Sequence, residues 1–124
     1  MTRIKEVADI AIIKWAPTGG ISAALEVIEK IDLPVVISSA LDSSVGISHG
    51  LSLAAIVPNL YGACGLGTVS LLEGDVTSNP LLPINGIIKN HKVTPDRIEE
   101  FKAESGRQKW WQDRANAVYE GGSF

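Results

Sequence analysis

Asp9-Ile10-Ala11-Ile12-Ile13-Lys14 is a short, β-branched and almost continuously apolar run. That pattern predicts a strand covered on both faces, as in a parallel sheet. Pro17, Gly19 and Gly20 then break the run into a loop. From Ile21 the apolar positions Ile21, Ala24, Leu25 and Ile28 fall at i, i+3, i+4 and i+7. This spacing predicts a helix with one apolar face and with Glu26, Glu29 and Lys30 largely off it. Residues 33–38, Leu-Pro-Val-Val-Ile-Ser, repeat the strand pattern, with Pro34 acceptable near the beginning because it has no N–H to give a ladder. Residues 45–57 are apolar nearly all round, which predicts a second helix buried on more than one side and stopped by Pro58. Residues 60–66 read as a weaker third strand, leading through Gly67 and Thr68 into a helical turn at 69–72. Strand–helix alternation with such short loops implies βαβ crossovers and a parallel sheet, hence an α/β fold.

Beyond residue 78 the character changes. Asn79-Pro80-Leu81-Leu82-Pro83 reads as a linker and residues 84–89 as an extended segment. Thr94-Pro95-Asp96-Arg97 has a capping residue followed by proline at a first helical position, so a helix is expected to begin there. A last, polar helix carrying Trp110, Trp111, Ala115 and Val118 is expected over 107–119, with the tryptophans packing one side of it, followed by a loose Gly-Gly-Ser-Phe end. The chain therefore divides into βα units over 1–78 and a linker with a helical tail over 79–124.

Composition adds mainly exclusions. With 45% apolar and 20% charged residues in 124, the chain has the make-up of a soluble globular domain rather than of a disordered one. A net charge of −3 gives no electrostatic reason to expect nucleic acid or an anionic membrane as partner. No run reaches the roughly 18 apolar residues of a membrane span, and the first six residues lack the apolar stretch of a signal peptide, so the cytoplasm is expected. The single cysteine, Cys64, excludes an internal disulfide, and neither it nor His49 or His91 has a neighbour at zinc-site spacing. Cys64 and His49 read as satisfied interior residues, and His91 as part of a polar linker.

In a parallel α/β sheet, functional groups gather beyond the C-terminal ends of the strands. Three places qualify: Lys14 with the turn that follows it, the serine-rich turn 38–44, and the glycine turn Gly65-Leu66-Gly67-Thr68. Lys14 directly follows Ile12 and Ile13, so its amine is expected over the top of the sheet beside low-dielectric walls. Burial there would lower its pKa and suit it to act as a base or to stabilise an enolate. From position alone it reads more readily as a lysine that merely marks where a buried strand meets water. Turn 38–44 offers hydroxyls and backbone N–H groups at a helix N-terminus, where a carboxylate or phosphate is held; the same residues also suit helix capping by Ser43 or Asp42. The glycine turn permits close approach to the backbone, although Gly62, Gly65 and Gly67 do not have the spacing of a dinucleotide motif.

Three stretches together carry a resemblance: 8–14 with Pro17-Thr18-Gly19-Gly20; 34–46, Pro-Val-Val-Ile-Ser-Ser-Ala-Leu-Asp-Ser-Ser-Val-Gly; and Gly65-Leu66-Gly67-Thr68. In order, spacing and residue type they resemble strands six, seven and eight of the barrel of an actinobacterial-type o-succinylbenzoate synthase, of the enolase superfamily. The match runs over 8–75 with good specificity, and the tail after Pro80 is similar in kind to the segment that returns from barrel to capping domain. The resemblance implies a partial TIM (β/α)8 barrel and a lyase of menaquinone biosynthesis that dehydrates a cyclohexadiene carboxylate to o-succinylbenzoate. It places the strand-six lysine on Lys14, where its charge would stabilise the enediolate while a strand-two lysine moves the proton. It places substrate-carboxylate contacts on Ser38 and Gly65, with Ser39 as their neighbour.

The family's divalent ion, usually magnesium, sits on acidic residues of strands three to five, which the resemblance puts outside this chain. A TIM barrel typically needs ~250 residues and eight strands, and three are present here. The chain is therefore expected to be inactive alone and either to self-associate or to pair with an N-terminal barrel piece, the unpaired strand edges favouring association. Two other readings stand beside this one: a non-catalytic α/β module that oligomerises through its sheet, and a sister racemase or cycloisomerase of the same superfamily.

Overall fold

The computed structural model describes residues 4–121, so of the expected loose C-terminal end residues 122–124 lie outside the described residues. The first element after a short 3-10 turn at Ile4–Glu6 is strand β1, Ala11–Lys14. A single helical turn, α1 (Trp15–Thr18), follows directly, then helix α2 (Ile21–Ile31), strand β2 (Val35–Ser38) and helix α3 (Ser44–Ile56). Pro17 was expected to break this region into a loop, and it sits inside α1 instead. The first turn of a helix leaves its N–H groups unbonded in any case, so proline fits there. Gly19, at φ 101°, closes the turn by donating to the Ala16 carbonyl at 3.1 Å.

β1 and β2 pair in parallel, with Ala11 opposite Val35 and Lys14 opposite Ser38. Side chains alternate across the pair. Ile13, Val35 and Ile37 are buried beneath α2 and α3, whereas Ile12 on the other face is 67% exposed. The expectation of a strand covered on both faces is thus corrected: helices cover one face, and nothing among the described residues covers the other over Ile12. α2 follows the predicted periodicity, with Ala24, Ile28 and Ile31 buried, and it ends on Asp32 in the left-handed region at φ 51°. α3 buries one stripe, Ser44, Ile47, Gly50 and Leu53, while Ile56 is 57% exposed, so the helix is not buried all round. Gly50 allows this packing, since a Cβ there would lie 2.7 Å from a Leu66 methyl.

The third strand predicted over 60–66 is reduced to two isolated parallel bridges on the far side of β2, Val35 with Leu60 and Ser38 with Gly65. Between them Gly62 takes φ 64°, so the chain bends out of the ladder and returns to it. A 3-10 turn at Thr68–Leu71 stands where a helical turn was expected. Residues 84–89 do not run as one extended segment. Ile84 and Ile87 exchange both backbone bonds around Asn85 and Gly86, at φ 51° and 78°, the Asn-Gly tight turn of a two-residue hairpin. The helix expected at Thr94 does not form. Asp96, which would have supported its first turn, accepts instead from the amide and hydroxyl of Ser78, and only turns follow. The last helix, α4, spans Ser105–Tyr119 and buries none of its residues. Trp110 and Trp111 meet edge to face with ring centroids 4.7 Å apart, and Trp111 is 57% exposed.

Candidate functional site

The parallel register brings three of the sequence-predicted residues into one row. Lys14 ends β1 opposite Ser38, which ends β2, and Ser38 bridges to Gly65. The two side chains of this row belong to the alternation that places Ile12 on the open face, so the row lies at the C-terminal edge of the uncovered side of the sheet. Lys14 is exposed, and the apolar walls expected beside its amine are not supplied by the described residues, because the face it shares is open. Its own backbone is fixed, since its carbonyl accepts from the Thr18 hydroxyl at 2.7 Å and Trp15 opens α1 immediately after it. The Trp15 ring lies 5.0 Å from that of His49 on α3, and its buried Nε1 has no hydrogen-bond partner among the described residues.

Ser38 and Ser39 have different surroundings. The Ser38 hydroxyl is half-buried and makes only long bonds, 3.3 Å to the Gly65 carbonyl and 3.5 Å to that of Ser39, so it is free to turn toward a ligand. The Ser39 side chain is buried. Its hydroxyl bonds the Gly65 carbonyl at 3.1 Å and the Thr68 hydroxyl at 2.8 Å, and its amide gives the same carbonyl a further bond at 3.0 Å. Gly65 donates its N–H to Ile37 within the sheet at 2.8 Å, so it offers a ligand space rather than a donor. A Cβ there would stand 2.9 Å from the Ser38 hydroxyl.

The α3 N-terminus is already occupied by a group that the sequence did not announce. Asp75, 6% exposed, accepts the Ser44 amide on both carboxylate oxygens, at 3.1 and 3.3 Å. Neither residue expected to cap does so: Ser43 makes no capping bond through its side chain, and Asp42 accepts the Ala40 amide at 3.2 Å. Asp75 lies 31 residues beyond Ser44, and local capping patterns have no reach over that distance. Two other candidates are placed by the same geometry. Cys64 is half-buried against the core, as expected. His49 is exposed rather than interior, its Nδ1 2.9 Å from the Val45 carbonyl one turn back.

Among the described residues no three His, Cys, Asp or Glu side chains come together to hold a metal ion. Asp42 and Asp75 face amide donors, which is anion-side chemistry and does not fit a cation. No helix among the described residues is long and apolar enough to cross a membrane.

No protein-family model matches the chain. Among curated proteins, it is 49% identical over 116 residues to proteins of Mycobacterium tuberculosis and Mycobacterium bovis, and 49% identical over 114 residues to one of Mycobacterium ulcerans. All three are o-succinylbenzoate synthases. The alignments take in 92%, 92% and 90% of this chain and 35% of each synthase. The chain thus spans about a third of the length of the synthases it matches, and the row of Lys14, Ser38 and Gly65 belongs to a sequence that is like theirs at half of its positions.

Proposed function

We propose that this chain contributes the last three βα units of the barrel of an o-succinylbenzoate synthase, over residues 1–78, with residues 79–124 as the returning tail. On this reading it is part of a lyase of menaquinone biosynthesis in the cytoplasm. The observation that carries the reading is the row itself: an amine, a loosely held hydroxyl and a glycine at the ends of neighbouring parallel segments, on the uncovered face of the sheet. Side chains on a barrel's inner face would stand there, and the remaining strands would cover Ile12 and wall in Lys14.

Within such an enclosure the Lys14 ammonium offers positive charge to the enediolate that forms when a proton is lost next to the substrate carboxylate. Charge placed in advance in a water-poor site is worth far more than in water. The Ser38 hydroxyl donates to the carboxylate, Gly65 lets it approach the backbone, and Ser39 holds the Gly65 carbonyl in place from beneath. The divalent ion of this family, magnesium on this reading, would supply further charge from ligands outside the segment this chain matches. Its ligands are not offered by the residues described, so no step is assigned to it.

The test is synthase activity with magnesium in three preparations: this chain alone, this chain mixed with the separately expressed N-terminal two-thirds of a mycobacterial synthase, and that mixture carrying Lys14→Ala. The expected outcome is activity in the wild-type mixture only. A soluble, folded chain that stays inactive with its complement and assembles with itself would favour a non-catalytic oligomerising module. Racemisation of N-succinylamino acids, or muconate cycloisomerisation, by the active mixture would move the assignment to a sister enzyme.

A further inference from the structure

Turn 38–44 is pinned at both ends by residues distant in sequence. At its near end, the amide and hydroxyl of Ser39 hold the Gly65 carbonyl at 3.0 and 3.1 Å, and the same hydroxyl lies 2.8 Å from that of Thr68. At its far end, Asp75 holds the Ser44 amide, and the fully buried Ser44 hydroxyl accepts from the Leu81 amide at 2.8 Å. Asp75 is itself fixed, because its Oδ1 also accepts from the Val76 amide at 2.8 Å. Between the pins Leu41 is held at φ 67° with its side chain 56% exposed. A leucine adopts that left-handed backbone only where its surroundings over-determine it. The Ala40 amide also donates to Asp42 across Leu41, and the two pins fix the ends of the turn on either side of that bond.

We propose that Asp75 is a positioning residue for the carboxylate-binding edge: by anchoring Ser44 it keeps the strained turn closed and sets where Ser38 and Ser39 stand relative to Gly65. A second consequence follows from charge. The positive end of α3 is neutralised internally, so a substrate anion is directed to Ser38 and Gly65 rather than drawn to the helix terminus. The proposal rests on reading Ser38 and Gly65 as the carboxylate contacts, although the geometry it predicts is observable without any substrate.

Amide NMR spectra of the full chain carrying Asp75→Ala make the test. The signals of Ser38, Ser39, Leu41 and Gly65 are expected to move together with that of Ser44. Formate, which fits the space the carboxylate leaves, is expected to return them toward their wild-type positions, and chloride at equal ionic strength is not. Should Asp75→Ala fail to fold, Asp75→Asn keeps one acceptor but places an amide NH2 against the Ser44 N–H, and the same signals are expected to move by less. A folded variant in which only Ser44 and its partners move would overturn the proposal, and so would loss of the fold in both variants, which would make Asp75 a general stability element. In the reconstituted synthase, Asp75→Asn is expected to raise KM about tenfold with kcat little changed, the pattern of a carboxylate contact weakened equally in ground and transition states when Ser38 is displaced. An inactive wild-type mixture would refute the synthase reading while leaving the spectra to decide on Asp75.

Discussion

At the scale of single residues, the acidic side chains divide by what they face. Asp75 faces backbone amides inside the protein, whereas Asp96 ties two surface segments together. Hydrogen bonds from the Ser78 hydroxyl, and then from the Ser78 amide, hold the Asp96 carboxyl below the ordinary aspartate range, against a smaller opposing effect of desolvation. A carboxyl whose folded value is depressed contributes stability that is fully present above its unfolded value, near pH ~4, and is lost as pH falls through the folded value. The tie between residues 78 and 96 should therefore hold through neutral and mildly acidic solution and loosen only below that range. NMR titration should place the Asp96 midpoint under that of a free aspartate, and Ser78→Ala should move it back up. An unchanged midpoint in the variant would mean that the Ser78 hydroxyl is not its cause. Lys5 lowers the Asp32 carboxyl in the same way, through a 2.6 Å hydrogen bond and its charge.

At the scale of elements, packing separates those the core requires from those it does not. Helices α2 and α3 each bury an apolar stripe against the strands. Helix α4 has no fully buried residue, and its surface carries pairs such as Lys109 with Asp113 at 2.9 Å. Ala115→Pro, which costs a helix interior about 3 kcal/mol, should reduce the helical circular dichroism while leaving the thermal midpoint of the core in place. A lowered midpoint would reveal a packing role that the present burial does not indicate. The same division explains what could be read from the sequence. The periodicity at Ile21, Ala24, Leu25 and Ile28 and the β-branched runs around Ile13 and Ile37 report burial in the core, and β1, α2, β2 and α3 stand where those patterns put them. Lys14 and the turns that begin at Ser38 and Gly65 were legible as strand ends, the resemblance singled out Ser38 and Gly65 within them, and the parallel register lines the three up. Asp75 could not be found in this way, for its partner lies 31 residues away and a lone aspartate in a Gly-Asp-Val stretch carries no local sign of it. The helix expected at Thr94 meets a related obstacle: the Asp96 carboxylate is engaged by the amide and hydroxyl of Ser78, 18 residues back. The hairpin at Asn85-Gly86 was within reach of local reasoning, since that pair is a strong turn signal between apolar residues.

At the scale of the whole molecule, the sheet is two-sided in construction and one-sided in cover. α2 and α3 shield one face, while Ile12 is 67% exposed on the other, beside the outer edge of β1, which no strand pairs among the described residues. The unpaired N–H and C=O groups of a strand edge are a template for further pairing, and an apolar side chain beside them adds surface to bury. Sedimentation at rising concentration should show the chain associating with itself, and Ile12→Lys should shift the population toward monomer, since a buried lysine would have to leave water. Monomeric wild-type chain at all concentrations would show that this face tolerates solvent. The double pinning of turn 38–44 has a further consequence, in the order of events during folding. β1, α2 and β2 are contiguous and can pair as soon as they exist, but the turn that follows β2 is fastened by Gly65, then by Asp75, then by Leu81, up to 37 residues later. Closing such long loops is slow relative to forming local contacts. The turn from Ser39 to Ser44 is thus expected to close after β1, α2 and β2 have come together, because its anchors must arrive from farther along the chain.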